Sequence, residues 1–523
     1  MTEPHDSVEP GHESLPTEST PLESTPAGAP ADSAAPEAPA AGRWAGLAAA
    51  VRAHPRVVLY SGLALVFVLL GTGSVFAGVA VGAPGGVSSA TRTADVAATP
   101  TPTVTTPPPR PTPDPVPPAS ALRTCSVAGP AANRALGTFS ATVINTATGE
   151  VLLDRGGNTG VAPASVIKTL TAATGLTVLG AGYRFSTTVY QGSAPGTVVL
   201  VGGGDATLSA LPAGQESVYA GAPKISTLAD QVKAAWAQTH GADDPITAVV
   251  ADANLWNPAD AWDPTWPANE RTLGYQPLVT ALMVDGDRAN PQAQNSPRST
   301  DPIGRAGAVF AEALGLPSGA VSKAGAPVTD RGAQLGQVQS QPLSTLIGKM
   351  LPDSDNTLAE MIARVSSKAS GSDGSAASLT GVYQAALTKA YGLDTAALVV
   401  KDGSGESNQD AVPPTMEARF MVQVGAGAKG LKVIYDSLPI SGQTGTLKTR
   451  FTGANAIARG AVNAKTGSIA SAYALAGIIR AKDGTTLAFA FFAEGRLSAG
   501  SAMAALDTVT AATFSCGNNL SNN

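Results

Sequence analysis

A serine and a lysine three residues apart stand at the start of a predicted helix and could together carry out nucleophilic catalysis. They are Ser165 and Lys168, within the stretch Pro163–Lys168. A serine hydroxyl is a weak nucleophile until a base removes its proton, and a partly desolvated lysine amine on the same helix face can act as that base. The helix N-terminus would add free N–H groups where an oxyanion forms. Taken alone, the pair also fits an ordinary capped helix.

Two further short motifs, whose residues could take part in such a site, follow later in the chain. Ser-Asp-Asn at 354–356 comes about 190 residues after Ser165, and Lys-Thr-Gly at 465–467 comes about 110 residues later. We expect the first of these at a helix start, where a plain helix cap would use the same residue types. We expect the second on an edge strand facing Ser165, where its lysine could bind a substrate carboxylate.

Composition excludes several other chemistries. Of the four histidines, only His240 lies in the part of the chain predicted to fold, in a turn-like stretch, so a Ser-His-Asp hydrolase would depend on it alone. Any serine chemistry therefore needs a lysine base. The spacing typical of metal ligands is not found, and we predict no metal and no cofactor. The net charge of −6 gives no indication of a nucleic-acid partner.

The N-terminal part of the chain is predicted to hold the folded part on a membrane. Residues 1–56 are rich in Pro, Ala, Glu, Ser and Thr, which indicates a disordered cytoplasmic tail. Residues 57–81 carry no charge and are long enough to cross a bilayer, and arginines precede them. Residues 82–119 are a Pro/Thr-rich linker. This predicts a signal anchor with the rest outside the cell membrane; a buried core helix is the alternative for residues 57–81.

The folded part is predicted to be one catalytic domain interrupted by an insertion. The catalytic domain comprises 120–187 and 341–516, and the inserted domain comprises 188–340. Cys125 and Cys516 lie at the two ends of the folded part and predict one disulfide outside the cell, with two unpaired thiols as the alternative.

Local patterns predict an α+β protein with an antiparallel sheet flanked by helices. The predicted helices are 165–179, 225–238, 301–314, 343–350, 354–367 and 497–513. The predicted strands are 138–145, 151–154, 198–201, 247–251, 472–480 and 485–493. These patterns do not give the order of the strands.

From about residue 137 to residue 492 the chain resembles the D-alanyl-D-alanine carboxypeptidases of the class C, low-molecular-mass penicillin-binding proteins. The three motifs are those of β-lactamases and penicillin-binding proteins. The likeness extends to Gly-Gly-Gly-Asp at 202–205, Asp-Gly-Ser-Gly at 402–405 and Leu-Pro at 438–439. It implies the transpeptidase/β-lactamase fold and a serine carboxypeptidase, with endopeptidase activity as a further outcome. The substrates would be peptidoglycan stem peptides ending in D-Ala-D-Ala, and β-lactam antibiotics would inhibit the enzyme.

The resemblance also implies a role for each motif residue. Ser165 would form the acyl-enzyme, Lys168 would accept its proton, and Ser354 would relay a proton to the leaving D-Ala. Asn356 would orient the peptide and Lys168. Lys465 and Thr466 of the third motif would bind the carboxylate of the substrate. The N–H groups of Ser165 and of Ser468, which follows Gly467, would form the oxyanion hole.

One departure and two alternatives remain. Asn408 stands where many relatives have an arginine, so the diamino residue that is recognised stays undetermined. A β-lactamase would need a water-activating carboxylate, for which Glu360 and Glu406 are the candidates near the second motif. An inactive membrane-anchored cell-wall scaffold is the second alternative, but it would not need to keep all three motifs.

Overall fold

The computed structural model describes residues 122–522. The predicted tail, membrane span and linker, residues 1–119, lie outside this range. Between residues 122 and 522, no helix is both long and apolar enough to cross a bilayer.

The elements of this range are numbered in chain order. The helices are α1 Ala128–Ala131, α2 Lys168–Val178, α3 Ile225–Thr239, α4 Glu270–Leu273, α5 Pro302–Leu314, α6 Leu343–Asp353, α7 Asn356–Ala369, α8 Leu379–Tyr391, α9 Pro414–Gly425, α10 Lys432–Ser437 and α11 Ala499–Cys516. The strands are β1 Thr138–Asn145, β2 Val151–Arg155, β3 Ser186–Gly192, β4 Thr197–Gly202, β5 Ala248–Asp252, β6 Val321–Lys323, β7 Arg331–Gln339, β8 Val462–Ile469, β9 Ala472–Arg480 and β10 Thr486–Glu494.

The first sheet is antiparallel throughout and has the order β2-β1-β10-β9-β8. Its central strands are apolar at nearly every position because both of their faces are covered. In β10, Ala488, Ala490 and Phe492 belong to the core shared with helices α2, α7 and α9. The alternate residues, Phe489 and Phe491 among them, belong to the core under α11. The strand alternation thus divides one apolar run between two cores.

The two ends of the described range are tied together behind this sheet. Cys125 and Cys516 form a disulfide with a Cα–Cα distance of 5.4 Å, which confirms the predicted pairing. Residues on both sides of the bond also pair through the backbone, since Cys125 N donates to Asn519 O at 3.1 Å.

The second sheet is mixed and has the order β6-β5-β4-β3-β7. Helices α3 and α5 pack on it and complete a separate hydrophobic core. Its first and last strands in the chain, β3 and β7, are antiparallel neighbours, with Ser186 opposite Gln339. The chain therefore enters and leaves this part of the molecule side by side.

Among the predicted helix starts that differ from the structure, two lie at motifs. The helix predicted from Ser165 begins instead with a 3₁₀ turn, Ala164–Ile167, and becomes α-helical at Lys168. The helix predicted from Ser354 begins at Asn356, because Ser354 ends α6 in a left-handed conformation with a φ of 57° and Asp355 caps α7. Both motif serines therefore stand on irregular backbone between regular elements.

Candidate active site

The three motifs meet at one cleft of about 520 Å³. Its lining includes Ser165, Ser354, Asn356, Thr466 and Ser468. The two motif lysines lie beneath these residues and are fully buried. All eight residues predicted for the site are thus in or directly behind this cleft.

Ser165 is presented on a tight turn that rests on a neighbouring loop. The preceding residue, Ala164, has a φ of 44°, which is unusual for a residue with a side chain. Gly405, with a φ of 80°, lies against the Ala164 carbonyl so closely that a Cβ at that position would be 2.0 Å from the oxygen. Only glycine fits there, and the loop at 402–405 therefore supports the turn that carries the nucleophile.

The amine of Lys168 has three partners, and the neutral amine can satisfy all three. Nζ lies 2.8 Å from Ser165 Oγ, 2.7 Å from Asn356 Oδ1 and 2.5 Å from the Ser404 carbonyl oxygen. The last two can only accept hydrogen bonds, so they take two N–H groups. In the neutral amine the remaining lone pair faces Ser165 Oγ, whose O–H can then donate to it.

The neutral form of this amine is accessible near neutral pH. Burial lowers the pKa of Lys168 to about 8, although the nearby carboxylates of Asp402 and Glu406 raise it. A base with a pKa near neutrality is what proton abstraction from a hydroxyl requires.

Asn356 has an amide orientation that its neighbours define. Its oxygen accepts from Lys168, so its Nδ2 points away and donates to Glu406 Oε2 at 3.2 Å. The amide thereby connects the base to the wall of the cleft.

Lys465 connects the third motif to the second. Its Nζ donates to Ser354 Oγ at 2.9 Å and to the Thr466 carbonyl at 2.8 Å. Burial, and then the positive charge of Lys168, lower the pKa of Lys465 well below its ordinary value.

The third motif lies on β8, the edge strand of the first sheet, as the sequence predicted. Gly467 is needed there because a Cβ would lie 2.5 Å from the Pro163 carbonyl oxygen, on the turn that carries Ser165. Next to it, the Thr466 hydroxyl is 2.8 Å from that of Thr446, which also lines the cleft. Hydroxyls and a buried amine thus gather along one edge of the sheet.

Sequence reasoning assigned no role to two further groups at the site. They are the Ser404 carbonyl, which contacts Lys168, and the side chain of Thr446, which lines the cleft. The Asp-Gly-Ser-Gly motif at 402–405 was the available signal for the first. Asp402 organises that loop, since Oδ1 accepts from Ser404 N at 2.9 Å and Oδ2 accepts from Trp266 Nε1 at 2.7 Å.

The two acidic candidates for activating water differ in position. Glu406 lines the cleft, where burial and then the charges of Glu270 and Asp402 raise its pKa to about 7. Glu360 is fully buried behind the site, and within the described range neither of its carboxyl oxygens has a hydrogen-bond partner. Burial, and then the charge of Asp402, raise the pKa of Glu360 to about 8. Glu360 is therefore not placed to bind a water in the cleft.

Other chemistries receive no support from the part of the chain that the structure describes. No group of three or more His, Cys, Asp or Glu side chains in residues 122–522 could hold a metal ion. His240 stacks on Trp236 at a centroid distance of 3.8 Å, at the end of α3 and outside the cleft lining.

Comparison with known proteins agrees with the family resemblance seen in the motifs. The model of the D-Ala-D-Ala carboxypeptidase 3 (S13) family matches residues 125–300 and 289–513. "Carboxypeptidase DacB" of Mycolicibacterium smegmatis is 35% identical over 392 residues, which are 74% of this chain and 82% of that protein. A "D-alanyl-D-alanine carboxypeptidase" of an Actinomadura species is 29% identical over 437 residues, covering 68% of this chain and 77% of that protein.

A solved structure is similar in fold. The crystal structure of penicillin binding protein 4 from Haemophilus influenzae superposes with a TM-score of 0.57 at 20% identity, covering 72% of this chain and 94% of that chain. The fold of the described residues is therefore that of a penicillin-binding protein.

Proposed function

The chain belongs to the D-Ala-D-Ala carboxypeptidase 3 (S13) family, and we propose that it hydrolyses the terminal D-Ala-D-Ala bond of peptidoglycan stem peptides through an acyl-enzyme on Ser165. The contacts of Lys168 carry this proposal, because in the neutral amine two obligate acceptors take the N–H groups and the lone pair faces Ser165 Oγ. Complete motifs in mutual contact also disfavour an inactive scaffold.

Acylation begins when Lys168 Nζ takes the Ser165 proton as Oγ attacks the carbonyl carbon of the penultimate D-Ala. The oxyanion is stabilised at the turn holding Ser165, by the N–H groups of Ser165 and Ser468. The C–N bond then breaks, and the proton that Lys168 took from Ser165 is passed to the leaving D-Ala amine through Ser354, whose hydroxyl accepts from Lys465. In a second step water attacks the ester carbonyl, and Lys168 takes a proton from the water and returns it to Ser165 Oγ as the acyl–oxygen bond breaks, which releases the shortened peptide.

The terminal carboxylate of the substrate would lie by β8, where Thr466 and Thr446 offer hydroxyls above the amine of Lys465. A backbone carboxylate bound there orients the scissile bond toward Ser165. Penicillins carry a carboxylate beside a reactive amide and would occupy the same place, so β-lactams are expected to acylate Ser165.

The experiment is labelling with a fluorescent penicillin. Wild-type protein is expected to carry one label on Ser165, and Ser165→Ala none, with both proteins giving the same circular dichroism. Undiminished labelling of folded Ser165→Ala would contradict the proposal. Following the label over time tests the β-lactamase alternative, since rapid release of hydrolysed penicillin would favour that activity.

We further propose that residues 57–81 anchor the protein in the cell membrane, with the catalytic domain outside. The uncharged span and the arginines before it support this. Protease added to intact cells should digest the catalytic domain and spare residues 1–56. Protection of the catalytic domain would contradict this location.

A further inference from the structure

A loop outside the predicted catalytic domain, Arg288–Arg298, contacts the second motif. The two end residues of this loop pair as an antiparallel bridge. This segment, here called the 288–298 loop, belongs to the predicted insertion. Both of its terminal arginines are buried, and both reach the start of α7. The residues that they contact are Asp355 and Thr357, the two neighbours of Asn356.

Arg288 forms the closer of the two connections. Its Nη2 donates to Asp355 Oδ2 at 2.8 Å, and each side chain is 1% exposed. Its Nη1 donates to Tyr219 Oη at 2.7 Å, and Tyr219 in turn donates to the same Asp355 oxygen at 3.1 Å. Gln294, in the middle of the loop, adds a third donor to Oδ2 at 3.0 Å. One carboxylate oxygen thus receives three hydrogen bonds, all from residues predicted to lie in the insertion.

The other oxygen of Asp355 serves the catalytic domain. Oδ1 accepts from Leu358 N at 3.0 Å and caps α7. Asp355 therefore joins the 288–298 loop to the helix whose first residue is Asn356.

Arg298 supports the same helix start. Its Nη1 lies 3.3 Å from Thr357 Oγ1, and its Nη2 donates to the Gly274 carbonyl at 2.9 Å. Gly274 also lines the cleft, so the loop connects the helix start to another part of the cleft lining.

The charge pair makes this connection stiff. Burial alone would raise the pKa of the Asp355 carboxyl, but the charge of Arg288 and the hydrogen bonds that it accepts lower the pKa to about 2. Removing one member of a buried ion pair leaves an uncompensated charge, which the surrounding structure must move to solvate. The residue that would move with Asp355 is Ser354, whose φ of 57° already departs from the usual range for a residue with a side chain.

We infer that Arg288 is a positioning residue for catalysis: through Asp355 it sets the places of Ser354 and Asn356, so the insertion is a working part of the active site. This inference rests on the proposed function, because Ser354 and Asn356 matter only if Ser165 is acylated. It goes further in assigning a role to residues outside all three motifs.

The chain offers a matched control. It separates the positioning of Ser354 and Asn356 from a general role of ion pairs in attaching the insertion to α7. Asp260 also lies in the predicted insertion, and it forms an ion pair with the buried Arg364 of α7. Arg364 is two turns beyond Asn356 on the same helix, and its hydrogen bonds go to Asp260 and Gly374. Asp260→Asn therefore breaks a second ion pair between the insertion and α7 without touching Asp355.

The test measures acylation of Ser165 by a chromogenic β-lactam, resolved into the dissociation constant of the initial complex and the first-order rate constant of acylation, k2. Arg288→Met is expected to lower k2 by about tenfold to a hundredfold, the effect of a small displacement of catalytic groups, with little change in the dissociation constant. Asp260→Asn should lower the melting temperature but keep k2 within twofold of the wild-type value. The double variant Arg288→Met/Asp355→Asn removes the unpaired charge and should recover part of k2.

A folded Arg288→Met with wild-type k2 would overturn the inference, as would an equal loss of k2 in Asp260→Asn. If Arg288→Met does not fold, Arg288→Lys is measured in its place, because it keeps the charge but not the geometry of the guanidinium. Its k2 should also fall, and a wild-type value would overturn the inference. Failure of the proposed function would appear differently, as a wild-type protein that is not labelled at all.

Discussion

Lys465 Nζ donates to Ser354 Oγ at 2.9 Å, which places the buried amine of the third motif against the hydroxyl of the second. Its other partner is the neutral carbonyl of Thr466. Because burial and the charge of Lys168 both lower the pKa of Lys465, a positive charge on it is costly. A substrate carboxylate would compensate that charge in a charge-assisted hydrogen bond.

This relationship predicts discrimination between a peptide acid and its amide. Amidation of the terminal carboxylate of a D-Ala-D-Ala peptide should lower kcat/KM by about a hundredfold, or ~3 kcal/mol, because the charge-assisted hydrogen bond between Lys465 and the carboxylate is lost. Kinetics on the two forms of one peptide measure the ratio. In Lys465→Ala the acid should react more slowly, and the preference for it should shrink. Equal kcat/KM for acid and amide in the wild type would contradict this role of Lys465.

The rate of acylation should depend on the ionisation of Lys168. The reactive form is the neutral amine, and burial lowers its pKa to about 8. Below that pH the rate should therefore fall about tenfold per pH unit, and above it the rate should level off. Acylation by a β-lactam between pH 6 and 9 gives the midpoint. A pH-independent rate in this range would contradict the assignment of Lys168 as the base.

Glu406→Gln provides a control, because the direction in which it should shift the midpoint of this pH profile is defined. The Glu406 carboxylate raises the pKa of Lys168, so its removal should move the midpoint to lower pH. A midpoint that moved upward would contradict the described electrostatics.

The sequence was informative wherever the signal was local. The strand Ala472–Arg480 was predicted with its observed bounds, because an apolar run followed by Asp-Gly marks both its nature and its end. The sequence also predicted that the motif residues lie together. That prediction rested on the order of the motifs along the chain and on the resemblance to a family.

Contacts between distant residues could not be predicted. Lys168 contacts the Ser404 carbonyl across 236 positions of sequence, and a backbone carbonyl leaves no mark in the residue type. The left-handed backbone of Ser354 depends on the junction of α6 and α7, which local helix propensity does not describe. Arg288 lies outside every motif, and no pattern in the sequence links it to Asp355; only packing makes the two a buried pair.

The Cys125–Cys516 disulfide should stabilise the catalytic domain without affecting the chemistry. It closes a loop across 391 positions, for which the chain-entropy model gives an upper value of about 6 kcal/mol. Replacement of both cysteines by alanine should lower the melting temperature measurably. The rate of acylation at 25 °C should persist, because Cys125 and Cys516 belong to the core under α11 rather than to the cleft. Identical melting curves with and without a reductant would contradict the predicted stabilisation.

Alanine substitutions at two glycines with similar φ angles can separate the cost of backbone strain from the loss of support for the turn that carries Ser165. Gly405 has a φ of 80° and its Cβ position is 2.0 Å from the Ala164 carbonyl oxygen, whereas Gly392 has a φ of 66° and open space around its Cβ position. Alanine at either position should cost about 1–2 kcal/mol of stability from the left-handed conformation alone. Only Gly405→Ala must also displace the turn that carries Ser165, so it should lower the acylation rate by about a hundredfold. Gly392→Ala should acylate at nearly the wild-type rate, and equal rates for the two variants would show that the loop at 402–405 does not position the nucleophile.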